Sequence, residues 1–184
     1  SGAQSAYNSV DAPLWFFWCI QQYAYINDAR TEVWNMYSKV MKQILDTFSE
    51  GTDNVRMDSN FLLWQSQEGK ALTWMDAIVE GKPVTPRNGY AVEINALWYN
   101  ALCYLVENET KYGKGGKTVY AWMDVKEKIE RNFYNMFWVE ERAHLADYVD
   151  EMGQNKFTRP NQLFACALEY SPINDEVKAN ILRS

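Results

Sequence analysis

Apolar side chains recur through most of this chain at the spacing of α-helices with one buried face. Asp11-Ala-Pro13 reads as an N-cap with proline in the first turn, opening a helix through about Tyr25. A second helix starts at Asp28 or Thr31, runs to Phe48 and stops at Ser49-Glu50-Gly51. Residues 51–60 are polar and irregular, and Phe61 to Trp64 forms a short apolar run before Glu68-Gly69, the pattern of a small hairpin on a loop. A further helix is expected from Thr73. Val84 to Gly89 must be a loop, because Pro86 drives Thr85 out of the helical region and Asn88-Gly89 favours a turn.

From Tyr90 to about Glu107 the residues Val92, Ile94, Leu97, Trp98, Ala101, Leu102 and Leu105 predict a helix buried over a broad face. Asn108 to Lys117 is expected as a loop. Val119 to Phe137 is a long helix with Trp122, Val125, Ile129, Phe133, Met136 and Phe137 on its buried side. An Asp-rich loop then leads to Arg159-Pro160-Asn161, which opens a helix to about Glu169, and Asn174 or Asp175 caps the last one. The pattern is an all-α fold of antiparallel helical hairpins, with no repeat of fixed length.

At 184 residues and 47% apolar content the chain fits a single domain with a sizeable core. Its net charge of −6 argues against nucleic acid or an anionic membrane as a partner, since both require a basic face. No apolar run is long enough to span a bilayer, and Ser1-Gly2 reads as a cloning remnant. Cys19, Cys103 and Cys166 lack metal-ligand spacing and read as buried free thiols of a reducing compartment. His144 is the single histidine, so neither a multi-histidine zinc site nor a Ser-His-Asp triad fits, and it is expected in a loop or at its edge. No metal or cofactor is expected. Lys111 to Thr118 ends like a phosphate loop, but lysine stands where the first glycine is required and a helix precedes it, so it reads as a connector.

Three blocks between Leu72 and Leu102 carry the most specific signal: Thr73-Trp74-Met75-Asp76, Val84-Thr85-Pro86-Arg87, and Val92-Glu93-Ile94-Asn95-Ala96-Leu97-Trp98-Tyr99-Asn100. In order and spacing they resemble the glycogen debranching enzymes, in the part that hydrolyses the α-1,6-linked glucose of a trimmed branch. The resemblance covers most of residues 7 to 183. It implies a toroid of six helical hairpins, (α/α), with the active site where inner-helix ends and loops meet. The chain holds about half the helices of such a toroid, so it is expected to be a piece of a larger enzyme or a reduced relative. An incomplete ring would leave apolar surface for self-association. The compartment implied is the cytoplasm.

Glycoside hydrolysis needs one carboxylic acid to protonate the leaving oxygen and a second carboxylate to activate water or attack. The resemblance makes Asp76 the proton donor; composition alone would make it a dipole partner in a helix's first turn. The indole of Trp74 beside it would exclude water and join the substrate-binding residues. Glu93, set between Val92 and Ile94, needs a partner, and Arg87 is the nearest in sequence. The pair either grips sugar hydroxyls or forms a structural salt bridge. Asp11 and Trp15, in Asp-Ala-Pro-Leu-Trp-Phe, resemble the family's segment at the mouth of the sugar pocket, while Trp18 reads as core. Asn95 is directed to the pocket and Trp98 to the core. Arg159, Asn161 and Gln162 match a further family block, preceded by Asp147 and Asp150, which resemble its acidic turn. The family's second carboxylate has no counterpart in this chain, which is therefore expected to be inactive alone.

Two departures stand out: Asp58-Ser59-Asn60-Phe61 where the family has Asp-Gly-Leu, and Tyr90 where lysine is common. The implied ligand is an α-glucan or oligosaccharide. The alternatives are a non-catalytic glycan-binding or scaffold module and a toroid glucosidase acting on a disaccharide.

Overall fold

In a computed structural model, which describes residues 9–66, 68–115 and 117–183, helices dominate and one of them forms the centre. Ser1-Gly2 and Gly116 of the lysine-glycine connector lie outside the described residues. The central helix, α3 (Val92–Tyr112), is buried at every position from Val92 to Leu105. Helices α1 (Ala12–Ile26), α2 (Arg30–Glu50), α4 (Lys117–Phe137) and α5 (Leu163–Ala167) pack around it, and α6 (Asp175–Ile181) packs on α5. A connection of residues 27–29 between α1 and α2 leaves the chain no room except to reverse, so these two form an antiparallel hairpin. The short connection between Tyr112 and Lys117 does the same for α3 and α4.

Helix α1 turns Leu14, Phe17, Ile20 and Ala24 inward, and α2 contributes Val33, Trp34, Met41, Leu45 and Phe48. A helix enclosed on all sides must satisfy its polar residues internally. In α3, Asn100 does so by donating to Gln21 Oε1 at 2.9 Å and accepting the Tyr170 N–H at 3.2 Å.

The all-α expectation needs correcting. The described residues also form nine short strands in small antiparallel sheets: β1 (Val55–Met57) with β2 (Leu63–Gln65), β3 (Ile78–Val79) with β4 (Lys82–Pro83), β6 (Trp138–Val139) with β7 (His144–Leu145), and β5 (Tyr90–Ala91) with β8 (Tyr148–Asp150) and β9 (Gly153–Gln154). The first pair is a hairpin that includes part of the apolar run Phe61 to Trp64, but its other strand is Val55–Met57, within the segment expected to be irregular, and its turn precedes Leu63 rather than falling at Glu68-Gly69.

No helix begins at Thr73. Residues 73–76 form a turn closed by the Asp76 N–H on the Thr73 carbonyl, and Gly81, at φ +78°, then reverses the chain between β3 and β4. The loop expected from Asn108 is instead the last part of α3. Asn108 Nδ2 and Thr110 Oγ1 donate to the carbonyls of Tyr104 and Val106, so these polar residues bond within the helix rather than ending it. Tyr90 lies in β5, ahead of α3. Pro160–Gln162 is a tight 3₁₀ turn, and the helix that follows stops at Ala167 rather than Glu169. Asn174 caps α6 as expected, accepting the Val177 N–H at 2.9 Å. Asp11 does not cap α1: Ser9 Oγ accepts the Ala12 N–H, and the Asp11 carboxylate is engaged elsewhere. His144 is buried inside β7, not at a loop edge. Cys19 is exposed, contrary to the expectation of three buried thiols, and Cys103 is buried. No helix among the described residues is long and apolar enough to cross a membrane.

Candidate functional site

The segment from Leu72 to Ala91 is held over the N-terminal end of α3 by anchors from distant parts of the chain. Asp11 Oδ2 accepts the Trp74 backbone N–H at 2.9 Å. Gln65 and Gly89 exchange both backbone hydrogen bonds, at 3.0 and 2.7 Å. Gly89 sits at φ +112°, and a Cβ there would lie 2.3 Å from the Val149 carbonyl oxygen, so both the handedness and the close approach demand glycine.

Beneath this segment lies a buried charge cluster. The Arg87 guanidinium forks onto Glu93, with Nη1 donating to Oε1 and Nη2 to Oε2, the latter at 2.7 Å. On its other side Arg87 Nε donates to Asp147 Oδ2 and Nη2 to Asp147 Oδ1, each at 3.0 Å. Arg159 Nη1 adds a bond to Asp147 Oδ2 at 3.1 Å, and Asn161 Nδ2 one to Asp147 Oδ1 at 2.6 Å. Two guanidinium groups thus face two carboxylates, and the formal charges cancel. The side chains of Arg87, Glu93 and Asp147 are at most 1% exposed. Burial pushes Glu93 above the usual carboxylate range, and Arg87 partly offsets that. Burial pulls Arg87 down, but Glu93 and Asp147 together outweigh that and raise it.

Asp76 lies at the edge of this assembly. Its Oδ1 accepts the N–H groups of Ala77 at 2.8 Å and Thr85 at 2.7 Å, so one oxygen staples the turn to the loop before Pro86. Among the described residues none donates to Oδ2. A small crevice beside it is shared with Gln65, Thr73 and Arg87. Trp74 is 51% exposed and meets Phe164 edge-on at 6.0 Å; Phe164 meets Trp15 in the same manner at 5.3 Å. Asn161 Nδ2 also reaches Met75 Sδ at 2.8 Å, which links the charge cluster to the Trp74 to Asp76 turn.

The structure therefore gathers Asp11, Trp15, Trp74, Asp76, Arg87, Glu93, Arg159 and Asn161 around one loop. Two residues expected at the sugar point elsewhere. Asn95 is fully buried and binds the N–H and carbonyl of Leu63 and the carbonyl of Ala91, pinning β2 to α3. Gln162 Oε1 accepts the Leu145 N–H at 3.0 Å. Glu93 and Arg87 are closed to solvent, so the salt-bridge alternative describes them here. Two contributors were not among the expected substrate-binding residues. Asp147 is the hub of the cluster, and Gln65 donates from Nε2 to the Arg87 carbonyl at 3.0 Å while its buried Oε1 has no partner among the described residues. Nothing in the sequence pattern singled out Gln65, which follows the apolar run Phe61 to Trp64. Tyr90 and Asp58, both within the departures from the family pattern, meet: the phenol donates to Asp58 Oδ2 at 2.7 Å, and with burial this pushes the Tyr90 hydroxyl up to about 12.

Asp76, the exposed indole of Trp74 and the partly exposed Arg159 thus share loops beyond one end of a buried helix. A protein-family model described as amylo-alpha-1,6-glucosidase matches residues 1–184, and the chain belongs to that family. A comparison with curated proteins returned no match. The family places the chain among the glycoside hydrolases related to glycogen debranching.

Proposed function

We propose that this chain supplies the proton donor of a debranching-type α-1,6-glucosidase that acts on branch stubs of glycogen or a related α-glucan. The observation that carries this reading is the state of Asp76. One of its oxygens is fixed by two backbone N–H groups and the other receives no hydrogen bond among the described residues, beside an exposed indole. A general acid needs that asymmetry: a fixed position and one oxygen free to carry a proton to the leaving group. Trp74 then packs on the sugar, and Arg159, the partly exposed member of the cluster, offers a donor to its hydroxyls. Arg87, Glu93 and Asp147 act beneath them as the rigid support. On this reading the scaffold belongs to the six-hairpin toroid, the second carboxylate comes from outside these residues, and the setting is cytoplasmic.

A specific observation favours the alternative of a non-catalytic glycan-binding module. Glu93, Arg87 and Asn95 are sealed from solvent, which leaves a shallow surface for the sugar. Glucose release from a branched limit dextrin by the natural protein that carries this chain, abolished by Asp76→Asn, supports the glucosidase reading. Dextrin binding without release by that same protein supports the module. Rapid release by residues 1–184 alone would place the second carboxylate within them and overturn that part of the proposal.

A further inference from the structure

A cleft of about 450 Å³ opens at the C-terminal end of α3, the end away from Asp76, between α2 and α4. Its size lies toward the lower end of the roughly 300 to 1,000 Å³ found for small-molecule sites, room for one or two hexose rings. Trp34, Trp122 and Tyr112 line it, and the two indoles are held by burial, at 7% and 8% exposure, so they form fixed walls. Within it Glu109 pairs with Lys42, Nζ to Oε2 at 2.5 Å, and that ammonium also lies 5.2 Å from the centre of the Trp34 ring.

At Gly113 the Glu109 carboxylate and its backbone carbonyl together leave no room for a side chain. The glycine's φ of −83° is open to any residue, so backbone handedness does not call for glycine. A Cβ there, however, would lie 2.3 Å from Glu109 Cδ, 2.5 Å from its Oε1 and 2.5 Å from its backbone carbonyl oxygen. Any other side chain would force the Glu109 carboxylate away from Lys42 and shift the Glu109 backbone carbonyl as well. The result is an acceptor and a donor, balanced in charge, set among rigid aromatic walls. Such a set matches a neutral hexose, whose hydroxyls bind the ion pair while its C–H faces pack on the rings.

We propose that this cleft binds a short α-glucan segment of one or two glucose units, separately from the Asp76 crevice. The choice of α-glucan over other sugars rests on the reading given under Proposed function. A second hold on the same polymer raises the effective concentration of its branches at the Asp76 loop without any new contact there.

The test is a titration of the isotope-labelled chain with maltotriose, followed by amide and indole N–H shifts. We expect saturable changes at Gly113, Lys114, Gly115 and the indoles of Trp34 and Trp122. Glu109→Gln keeps the size of the side chain and removes its charge, and should weaken this binding about tenfold. Gly113→Ala should weaken it as well, while Asp76→Asn should leave it unchanged. Each variant's unperturbed spectrum elsewhere confirms its fold. Shifts confined to residues 73–88 and abolished by Asp76→Asn would overturn the cleft and leave the glucosidase reading standing. Cleft shifts with β-linked cellotriose or with inorganic phosphate, and none with maltotriose, would overturn the α-glucan assignment. An absence of shifts at high millimolar maltotriose would overturn the proposal outright.

Discussion

Arg87 holds both oxygens of Glu93 across a gap of six residues, with each side chain removed from solvent. Breaking such a pair leaves a buried charge without its counterpart, which costs more than the intact pair contributes. Arg87→Met strands Glu93, leaves Asp147 with only Arg159 and Asn161 among the described residues, and should destabilise the chain by about 3 to 5 kcal/mol. Arg87→Lys should be nearly as harmful, because one ammonium cannot replace a fork that serves two carboxylates. The charge-balanced double variant Arg87→Met with Glu93→Gln should recover part of the loss. Urea unfolding of the parent chain, Arg87→Met, Arg87→Lys, Glu93→Gln and the double variant measures this, and a double variant as unstable as the sum of its parts would show that the two residues act independently.

Gly89 fixes where the Leu72 to Ala91 segment crosses β2 and β8. Gly89→Ala adds a Cβ into the Val149 carbonyl at a positive φ and should cost more than about 2 kcal/mol through strain and overpacking. Gly81 also has a positive φ, but open space surrounds its Cβ position, so Gly81→Ala should cost only about 1 kcal/mol. Equal losses of melting temperature in the two variants would mean that the close approach at Val149 is relaxed without effort.

The thiols divide by burial. Cys19 is exposed and should react at once with a disulfide reagent at neutral pH, whereas Cys103 should react only as the chain unfolds. Burial pushes the Cys103 thiol up to about 12, from an ordinary value of 9.0. Between those values the unfolded chain ionises this thiol and the folded chain does not. Its contribution to stability is therefore complete below pH 9 and is lost as pH rises toward 12. Cys103→Ser should flatten that alkaline decline in unfolding experiments, and an unchanged slope would assign the decline to other groups such as the buried tyrosines.

Helices α2 and α4 were legible because their apolar residues repeat at one helical spacing and fill one face, whereas α1, apolar on most of its surface, was marked by Pro13 in its first turn. The end of α3 was not, since Asn108 and Thr110 look like loop residues until their bonds to the preceding turn are seen. The two- and three-residue strands carry no period of their own; β5 exists because β8 lies beside it, some 57 positions later, at Tyr148 for Ala91. At the site, residue types were readable and partners were not. Glu93 between two apolar neighbours announced burial, yet the choice between sugar and salt bridge depended on Asp147, a residue 60 positions from Arg87. Asp11 looked like a helix cap in every local respect, and its partner, the Trp74 N–H, lies 63 residues away.

The geometry of Asp76 allows its chemistry to be separated from its structural work. Both backbone bonds fall on Oδ1, and asparagine keeps an Oδ1 acceptor, so Asp76→Asn should preserve the turn and the melting temperature while removing the transferable proton. Asp76→Ala loses both, leaving the Ala77 and Thr85 N–H groups without that partner, and should lower stability by about 1 to 3 kcal/mol. In the hydrolytically active protein that carries this chain, Asp76→Asn should reduce kcat on a natural α-1,6 linkage by roughly 100-fold or more with little change in KM. Substrates with fluoride or aryl leaving groups need little protonation and should lose far less. If Asp76→Asn instead slows every substrate equally, or destabilises the chain as much as Asp76→Ala, then Asp76 is a staple between Ala77 and Thr85 and the acid belongs to another residue.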